Sequence, residues 1–138
     1  MTTPTIIPTL RYRDSRAALD WLCRVFGFER HLVVEGDDGA IEHAQLTFGH
    51  GMVMLGQARE GEYDTRMVSP GEVGGRQTQC PYLIVADVDA HHARALAAAA
   101  EIVMAPEDQP YGGRLYSALD PEGHLWNFGS YDPYAPAP

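Results

Sequence analysis

The sequence predicts an α+β fold built from two βαβββ modules. Three observations predict it. Residues 14–28 (DSRAALDWLCRVFGF) and 87–101 (DVDAHHARALAAAAE) repeat one helical pattern at an offset of 73 residues, about half of the 138-residue chain. Around each helical stretch the apolar period changes from the helical one to two. Short segments of turn-forming residues separate the period-two runs: GDDG at 36–39, GHG at 49–51 and DPEG at 120–123.

The first strand is read at 5–12 (TIIPTLRY). Asp14 then stands where a carboxylate can accept an N–H from the first turn of a helix. Ala18, Leu19, Leu22, Val25 and Phe26 recur at 3–4 residue spacing, so one stripe of that helix faces a core. Gly27 ends it, because glycine tolerates the positive φ of a helix terminus. Strands follow at 30–36, 41–48 and 51–57. Residues 58–79 show no clear period and are rich in Gly, Pro and Ser, which reads as a mobile linker.

The second half repeats the order. Strands are expected at 80–86, 101–105, 113–119 and 124–131. Asp87 caps the intervening helix, whose inner stripe is expected at Ala90, Ala93, Leu96, Ala97 and Ala100. The final YDPYAPAP cannot continue a helix or a central strand and reads as an extended arm. The whole is one domain: module 1 at about 5–57, a linker at about 58–79, module 2 at about 80–131, and the tail. A chain of this size buries roughly 68–70% of its unfolded surface, so no disulfide or metal is required for folding. A four-stranded sheet with one helix on its convex side leaves its other face to be covered. Two curved sheets facing each other therefore enclose a cavity, between the halves or between two copies of the chain.

Composition narrows the function classes. Ten basic residues, all arginine, stand against 19 acidic ones, for a net charge of −9. Nucleic-acid binding needs a basic surface to displace counterions, so the chain is a poor candidate for it, and an anionic membrane surface would repel it too. The same field favours a cationic small molecule. No apolar run approaches the ~18 residues of a membrane span. MTTPTIIPTL lacks the features of a signal peptide, and Cys23 and Cys80 lie far apart with no CxxC. A cytoplasmic protein with two free thiols is the expectation. Dinucleotide, phosphate-loop, nucleophile-elbow and HExxH motifs are absent from the sequence.

The segments TLRYRDSRAALDWLCRVFGF, IVADVDAHHARALAAAAEIV and PYGGRLYSALDPEGHLWNFGSY, with DPEGHLWNF the most specific part, resemble the vicinal oxygen chelate superfamily. That superfamily includes glyoxalase I, extradiol dioxygenases, fosfomycin-resistance enzymes and bleomycin-resistance binding proteins. The resemblance implies a metal site in its enzymes, with one ligand from the first and one from the last strand of each half. Those places hold Ile7, Met54, Cys80 or Pro81, and Asn127 in this sequence. Ile7 and Pro81 have no side-chain donor, Met54 is a soft thioether and Asn127 a weak neutral oxygen. No metal, no cofactor and no metal-dependent chemistry are expected.

If Met54 and Asn127 face the cavity, strand alternation assigns the other positions. His43, Gln45 and Thr47 then point inward, and Ala44, Leu46, Val53, Leu55, Trp126 and Phe128 pack beneath the helices. Ile7, Thr9 and Arg11 point inward on the first strand and Cys80, Tyr82 and Ile84 on the fifth. Arg114, Tyr116 and Ala118 are the expected inward set on the seventh. Arg11 is expected to pair with Asp14 or Glu35, and His91 and His92 to lie on the surface. Tyr111 flanks the two glycines of PYGGR, where the backbone allows close approach. The expected ligand-binding residues are His43, Gln45, Met54, Tyr82, Tyr111, Arg114, Tyr116 and Asn127, with no catalytic residue among them.

The chain most resembles the bleomycin-resistance-like branch, in which an acidic homodimer sequesters a drug without transforming it. The expected function is metal-independent binding of a small cationic or aromatic molecule, with antibiotic resistance as a role. A glyoxalase-like lyase or isomerase acting on a small carbonyl compound, with His43 as base or with a metal held by residues outside those four places, is the alternative. A regulatory or interaction module with a vestigial pocket is a third.

Overall fold

The computed structural model describes residues 3–136. It shows an α+β fold with two four-stranded mixed sheets and one helix in each half. The first module runs β1 (Thr9–Tyr12), α1 (Ser15–Trp21), a π-helical turn (Leu22–Phe26), β2 (Glu29–Glu35), β3 (Ile41–Phe48) and β4 (Gly51–Gln57). The second runs β5 (Tyr82–Ile84), α2 (Val88–Ala97), β6 (Glu101–Asp108), β7 (Arg114–Leu119) and β8 (Leu125–Gly129). The sheets have matching orders, β1-β4-β3-β2 and β5-β8-β7-β6, with one parallel pair in each.

The repeat is visible at single-residue resolution. Thr9 pairs with Met54 and Tyr82 with Asn127, and both partners shift by the same 73 residues. Each helix begins as its aspartate requires. Asp14 Oδ1 accepts from the Ala17 amide at 3.1 Å and Asp87 Oδ1 from the Ala90 amide at 3.0 Å. Gly27 closes the first helical segment at φ 88°, and the Arg94 guanidinium sits over this end, donating to the carbonyls of Cys23 and Arg24. A cation there satisfies carbonyls that the helix leaves free.

Several boundaries differ from the sequence reading. β1 covers only four residues, because Pro8 has no N–H to extend the ladder, although its carbonyl still accepts from Met54 N. Pro81 shortens β5 in the same way, and its carbonyl accepts from Asn127 N. β6 runs on to Asp108, past the expected end at 105. On α2 the buried side is Val88 and Ala95 with His91 half-buried, and Leu96 is exposed. The alanine-rich pattern allowed several stripes at 3–4 spacing, and packing selected this one.

Residues 58–79 are pinned to the fold. They form 3₁₀ turns at Tyr63–Arg66 and Pro70–Val73. Asp64 pairs with Arg11 at 3.3 Å, and the Arg11 guanidinium lies 4.5 Å from the centre of the Tyr63 ring. These partners replace the expected Asp14 or Glu35. Further along, Gln77 donates to the Gly123 carbonyl and accepts from Leu125 N, both at 2.8 Å. The tail makes a turn in which Ala135 N donates to Asp132 O, and residues 137–138 of the expected arm lie outside the described residues.

One core serves both modules, and it lies on the helix side of both sheets. Phe26 packs on Phe128 with ring centres 4.6 Å apart, Phe28 on Trp126 at 5.5 Å, and Phe48 on Phe128 at 6.2 Å. Asp120 ties the same junction, accepting from the Tyr12 hydroxyl at 2.6 Å and from the Trp126 indole at 3.0 Å. The helix-bearing faces therefore turn towards each other, and the opposite faces turn outward. The sheets are not closed on one another within the chain.

Candidate functional site

The outward face of the first sheet follows from strand alternation. Val53 and Leu55 are buried beneath the helix, so Met52 and Met54 lie on the other side. Gln45 sits opposite Met54 in the ladder, and Thr9 flanks Met54 on β1. The Gln45 amide donates to His43 Nε2 at 3.1 Å. Leu32 and Val34 of β2, opposite Gln45 and His43, are both exposed. His43 and Met54 also line a small pocket of about 140 Å³ with Arg11 and Tyr63. Arg11 Nε is buried there without a hydrogen-bond partner.

The outward face of the second sheet carries Tyr82, Ile84, Met104 and Asn127, of which the first three are exposed. Asn127 is held on three sides. Its side chain accepts from the Ser117 hydroxyl at 2.6 Å, and its amide donates to Cys80 Sγ and to the Pro81 carbonyl, both at 3.1 Å. The Tyr82 hydroxyl donates to the Tyr131 carbonyl at 2.7 Å. Its ring lies over Gly129, where an added Cβ would come within 2.5 Å of the hydroxyl. Tyr111 meets Tyr131 edge to face with ring centres 5.2 Å apart. Gly112 and Gly113 allow that approach, with φ of 111° and 74°. Burial, and then the neighbouring Tyr111, push the Tyr82 hydroxyl above the usual phenol range.

Two expected residues lie elsewhere. Tyr116 is fully buried on the helix side, its ring stacked on Phe128 at 5.3 Å. Arg114 reaches back to Asp89 of α2 at 2.9 Å and to Asp108 of β6 at 3.0 Å. The expected inward set on the seventh strand was the wrong alternate. Cross-strand pairing sets Tyr116 against the buried Phe128 and Ser117 against Asn127, so Ser117 shares the outward face. Sequence reasoning also missed Tyr131 and Tyr63. Both sit in segments where no period locates a side chain.

The structure also moves His91 from the expected surface to a half-buried place against the core. Its Nε2–H donates to the Phe26 carbonyl at 2.8 Å, and Nδ1 accepts from the Tyr116 hydroxyl at 2.5 Å. Its ring lies 4.3 Å from that of Phe128. Burial, together with Arg94 nearby, lowers its pKa below the ordinary histidine range against the opposing pull of the Phe26 carbonyl. The unfolded chain therefore takes up this proton at a higher pH than the folded one. Stability is lost as pH falls through the ordinary histidine pKa of about 6.5 towards the depressed folded value. Urea titrations across this window are expected to show that loss, and His91→Phe is expected to flatten it. An unchanged pH slope in the variant would remove His91 as its source.

The four places where the superfamily's enzymes hold their metal correspond here to Ile7, Met54, Cys80 or Pro81, and Asn127. Cys80 and Asn127 are bonded to each other, and Asn127 is engaged further by Ser117 and Pro81. Ile7 has no donor, and a thioether and a neutral amide are poor ligands for the hard or borderline divalent ions that polarise oxygen substrates, so at most the one thiol of Cys80 is left to bind such an ion. Among the described residues, no three His, Cys, Asp or Glu side chains are grouped to hold an ion. These residues do not fit such a metal.

Residues 6–128 match the Glyoxalase/Bleomycin resistance protein/Dioxygenase superfamily. The chain belongs to that superfamily. Within it, an uncharacterized protein of Mycobacterium tuberculosis strain H37Rv is 35% identical over 126 residues, 91% of this chain and 74% of that protein. The crystal structure of TioX from Micromonospora sp. ML1 is 39% identical, with a TM-score of 0.69 over 91% of this chain and 97% of that one. A point mutant of the fosfomycin resistance protein FosX of Listeria monocytogenes, complexed with Mn(II) and a dihydroxypropylphosphonic acid, shares the fold. Its TM-score is 0.68 at 16% identity, over 96% of this chain and 94% of that one. The superfamily thus sets the architecture, which by itself does not fix the chemistry. No helix among the described residues is long and apolar enough to cross a membrane.

Proposed function

We propose that this superfamily member binds a small aromatic molecule without a metal ion, as a binding protein of the bleomycin-resistance type. The observation that carries this reading is the donor set at the four metal positions, in which Asn127 and Cys80 already bond each other. What remains on the outward faces suits association. Tyr82, Tyr111 and Tyr131 form a platform for a flat ring, Gln45 and His43 supply hydrogen bonds, and Asn127 keeps one Oδ1 lone pair to accept another. Met54 adds an adaptable apolar contact.

His43, Gln45 and Met54 lie on one sheet and Tyr82, Tyr111 and Asn127 belong to the other half of the chain. Both outward faces carry exposed apolar side chains, Leu32 and Val34 on the first and Ile84 and Met104 on the second. We therefore propose a homodimer in which each sheet face is covered by the partner's complementary face, making two clefts. Sequestering a drug or metabolite is the role this arrangement serves. The free Cys23 and the exposed Cys80 suit a reducing, cytoplasmic compartment.

The test is a thermal-shift screen of aromatic antibiotics and metabolites, with and without EDTA, with substrate turnover followed in parallel. A ligand that raises the melting temperature equally in both conditions and is recovered unchanged supports the reading. Tyr82→Ala is expected to weaken that ligand about tenfold, the loss of one stacking face and its buried area. Ligand binding or turnover abolished by EDTA and restored by manganese would overturn it.

A further inference from the structure

Most of the ten arginines are engaged. Arg11, Arg13, Arg16, Arg30, Arg59 and Arg114 each have a carboxylate partner, and Arg94 donates to main-chain carbonyls. Among the described residues, Arg24, Arg66 and Arg76 have no such partner. Arg66 and Arg76 line one cleft of about 1080 Å³. It lies between the lead-in to β1, the 66–81 segment and the start of β8.

The composition of this cleft departs from that of the chain. Its 18 lining residues include two arginines and His124 but no aspartate or glutamate. The chain as a whole carries 19 acidic residues against 10 basic. Apolar side chains form much of the remaining wall, among them Ile7, Met67, Val68, Val73 and Leu125. The cleft is also held in shape. The Arg11–Asp64 pair fixes the segment on one side of Arg66, and Gln77 fixes it to β8 beside Arg76.

We propose that this cleft binds an amphipathic organic anion, an aromatic or alkyl body bearing one carboxylate, sulfonate or phosphate group. The apolar wall takes the body, and the two guanidinium groups take the oxyanion, to which their planar donor forks are matched. The net charge of −9 argues the other way only at long range. At physiological salt it is screened over about 8 Å, so the nearest charges govern the cleft. The cleft adjoins the outward faces, since Ile7, Thr9 and Cys80 belong to its wall, but its two arginines lie outside the tyrosine platform, and the Tyr82→Ala variant separates the two sites.

The probe is 8-anilinonaphthalene-1-sulfonate, compared with its uncharged analogue N-phenyl-1-naphthylamine. Both are titrated by fluorescence into wild type, R66Q/R76Q and Tyr82→Ala, with sedimentation run on each. The sulfonate is expected to bind wild type at least about tenfold more tightly than the analogue. R66Q/R76Q is expected to remove that preference while the analogue's affinity stays within about twofold, as loss of two charge-assisted contacts requires. Both arginines are exposed, so the variant is expected to keep the wild-type melting temperature, which is measured alongside. Equal affinity for the two probes in wild type would overturn the proposal. So would sulfonate binding that survives R66Q/R76Q, or that is lost in Tyr82→Ala instead. Conversion of a dimer to a monomer by R66Q/R76Q would overturn it as well, reassigning the cleft to an interface between copies.

Discussion

Asp120→Ala is expected to lower unfolding stability by about 3 kcal/mol or more. The carboxylate is 5% exposed and sits at the junction of the modules. It accepts from the Tyr12 hydroxyl, the Trp126 indole and the main-chain N–H groups of Glu122 and His124. Tyr12 and Trp126 are themselves fully buried, so their donors find no water once the acceptor is gone. Each orphaned buried donor costs about 1–3 kcal/mol. Burial, and then the Asp120 charge and hydrogen bond, hold the Tyr12 hydroxyl well above its usual pKa, so it stays a donor across the accessible pH range. In a domain whose whole stability is about 5–15 kcal/mol, the loss should lower the melting temperature by roughly 10 °C. Tyr12→Phe removes one donor and leaves Asp120 its other three, so it should cost about 1 kcal/mol. Urea denaturation of both variants is the measurement. An Asp120→Ala midpoint indistinguishable from wild type would show that the junction is not held there.

Phe26→Ala is expected to cost about 3–5 kcal/mol, the usual penalty for emptying a fully buried aromatic site. Phe26 is 0% exposed and meets Trp21 of its own helical segment and Phe128, Trp126 and His91 of the other module. Its carbonyl also receives the His91 proton. Because the side chain belongs to one module and most of its ring contacts to the other, the cavity opens at the seam. The variant should lose near-ultraviolet ellipticity at lower urea than wild type, with the far-ultraviolet signal following later as the modules uncouple. Coincident transitions in both signals would show that the halves still unfold as one unit. Phe128→Ala should behave alike, since it faces the same ring at 4.6 Å.

Much of this fold was legible where one residue type could fill one role. Asp14 and Asp87 stood before apolar stripes and cap both helices. Val53, Leu55, Trp126 and Phe128 alternate with residues of different character, and all four are buried as expected. The seventh strand was ambiguous. In Arg114–Leu119 both alternates carry apolar residues, Leu115 with Leu119 and Tyr116 with Ala118, so the sequence pattern cannot choose a face. Only the ladder to β8 settles it. Helix α2 was ambiguous for a similar reason, since alanine suits a buried or an exposed position equally. The segment at 58–79 was opaque because its anchors, Arg11 with Asp64 and Gln77 with Gly123 and Leu125, join residues more than 40 positions apart.

The candidate site divides along the same line. That the positions of Ile7, Met54 and Asn127 are poor in metal donors is a property of side-chain identity, and no folding could change it. That Cys80 and Asn127 meet, that Tyr82, Tyr111 and Tyr131 share a platform, and that Arg66 and Arg76 share a cleft are properties of contact. The sequence by itself determined the duplicated βαβββ plan, the capped helices and the chemistry available at each strand position, because these follow from local period and residue type. The tertiary structure alone decided which faces turn outward. Phe26, Phe28 and Phe48 bury themselves against Trp126 and Phe128, and the apolar area removed from water at that seam outweighs any local preference.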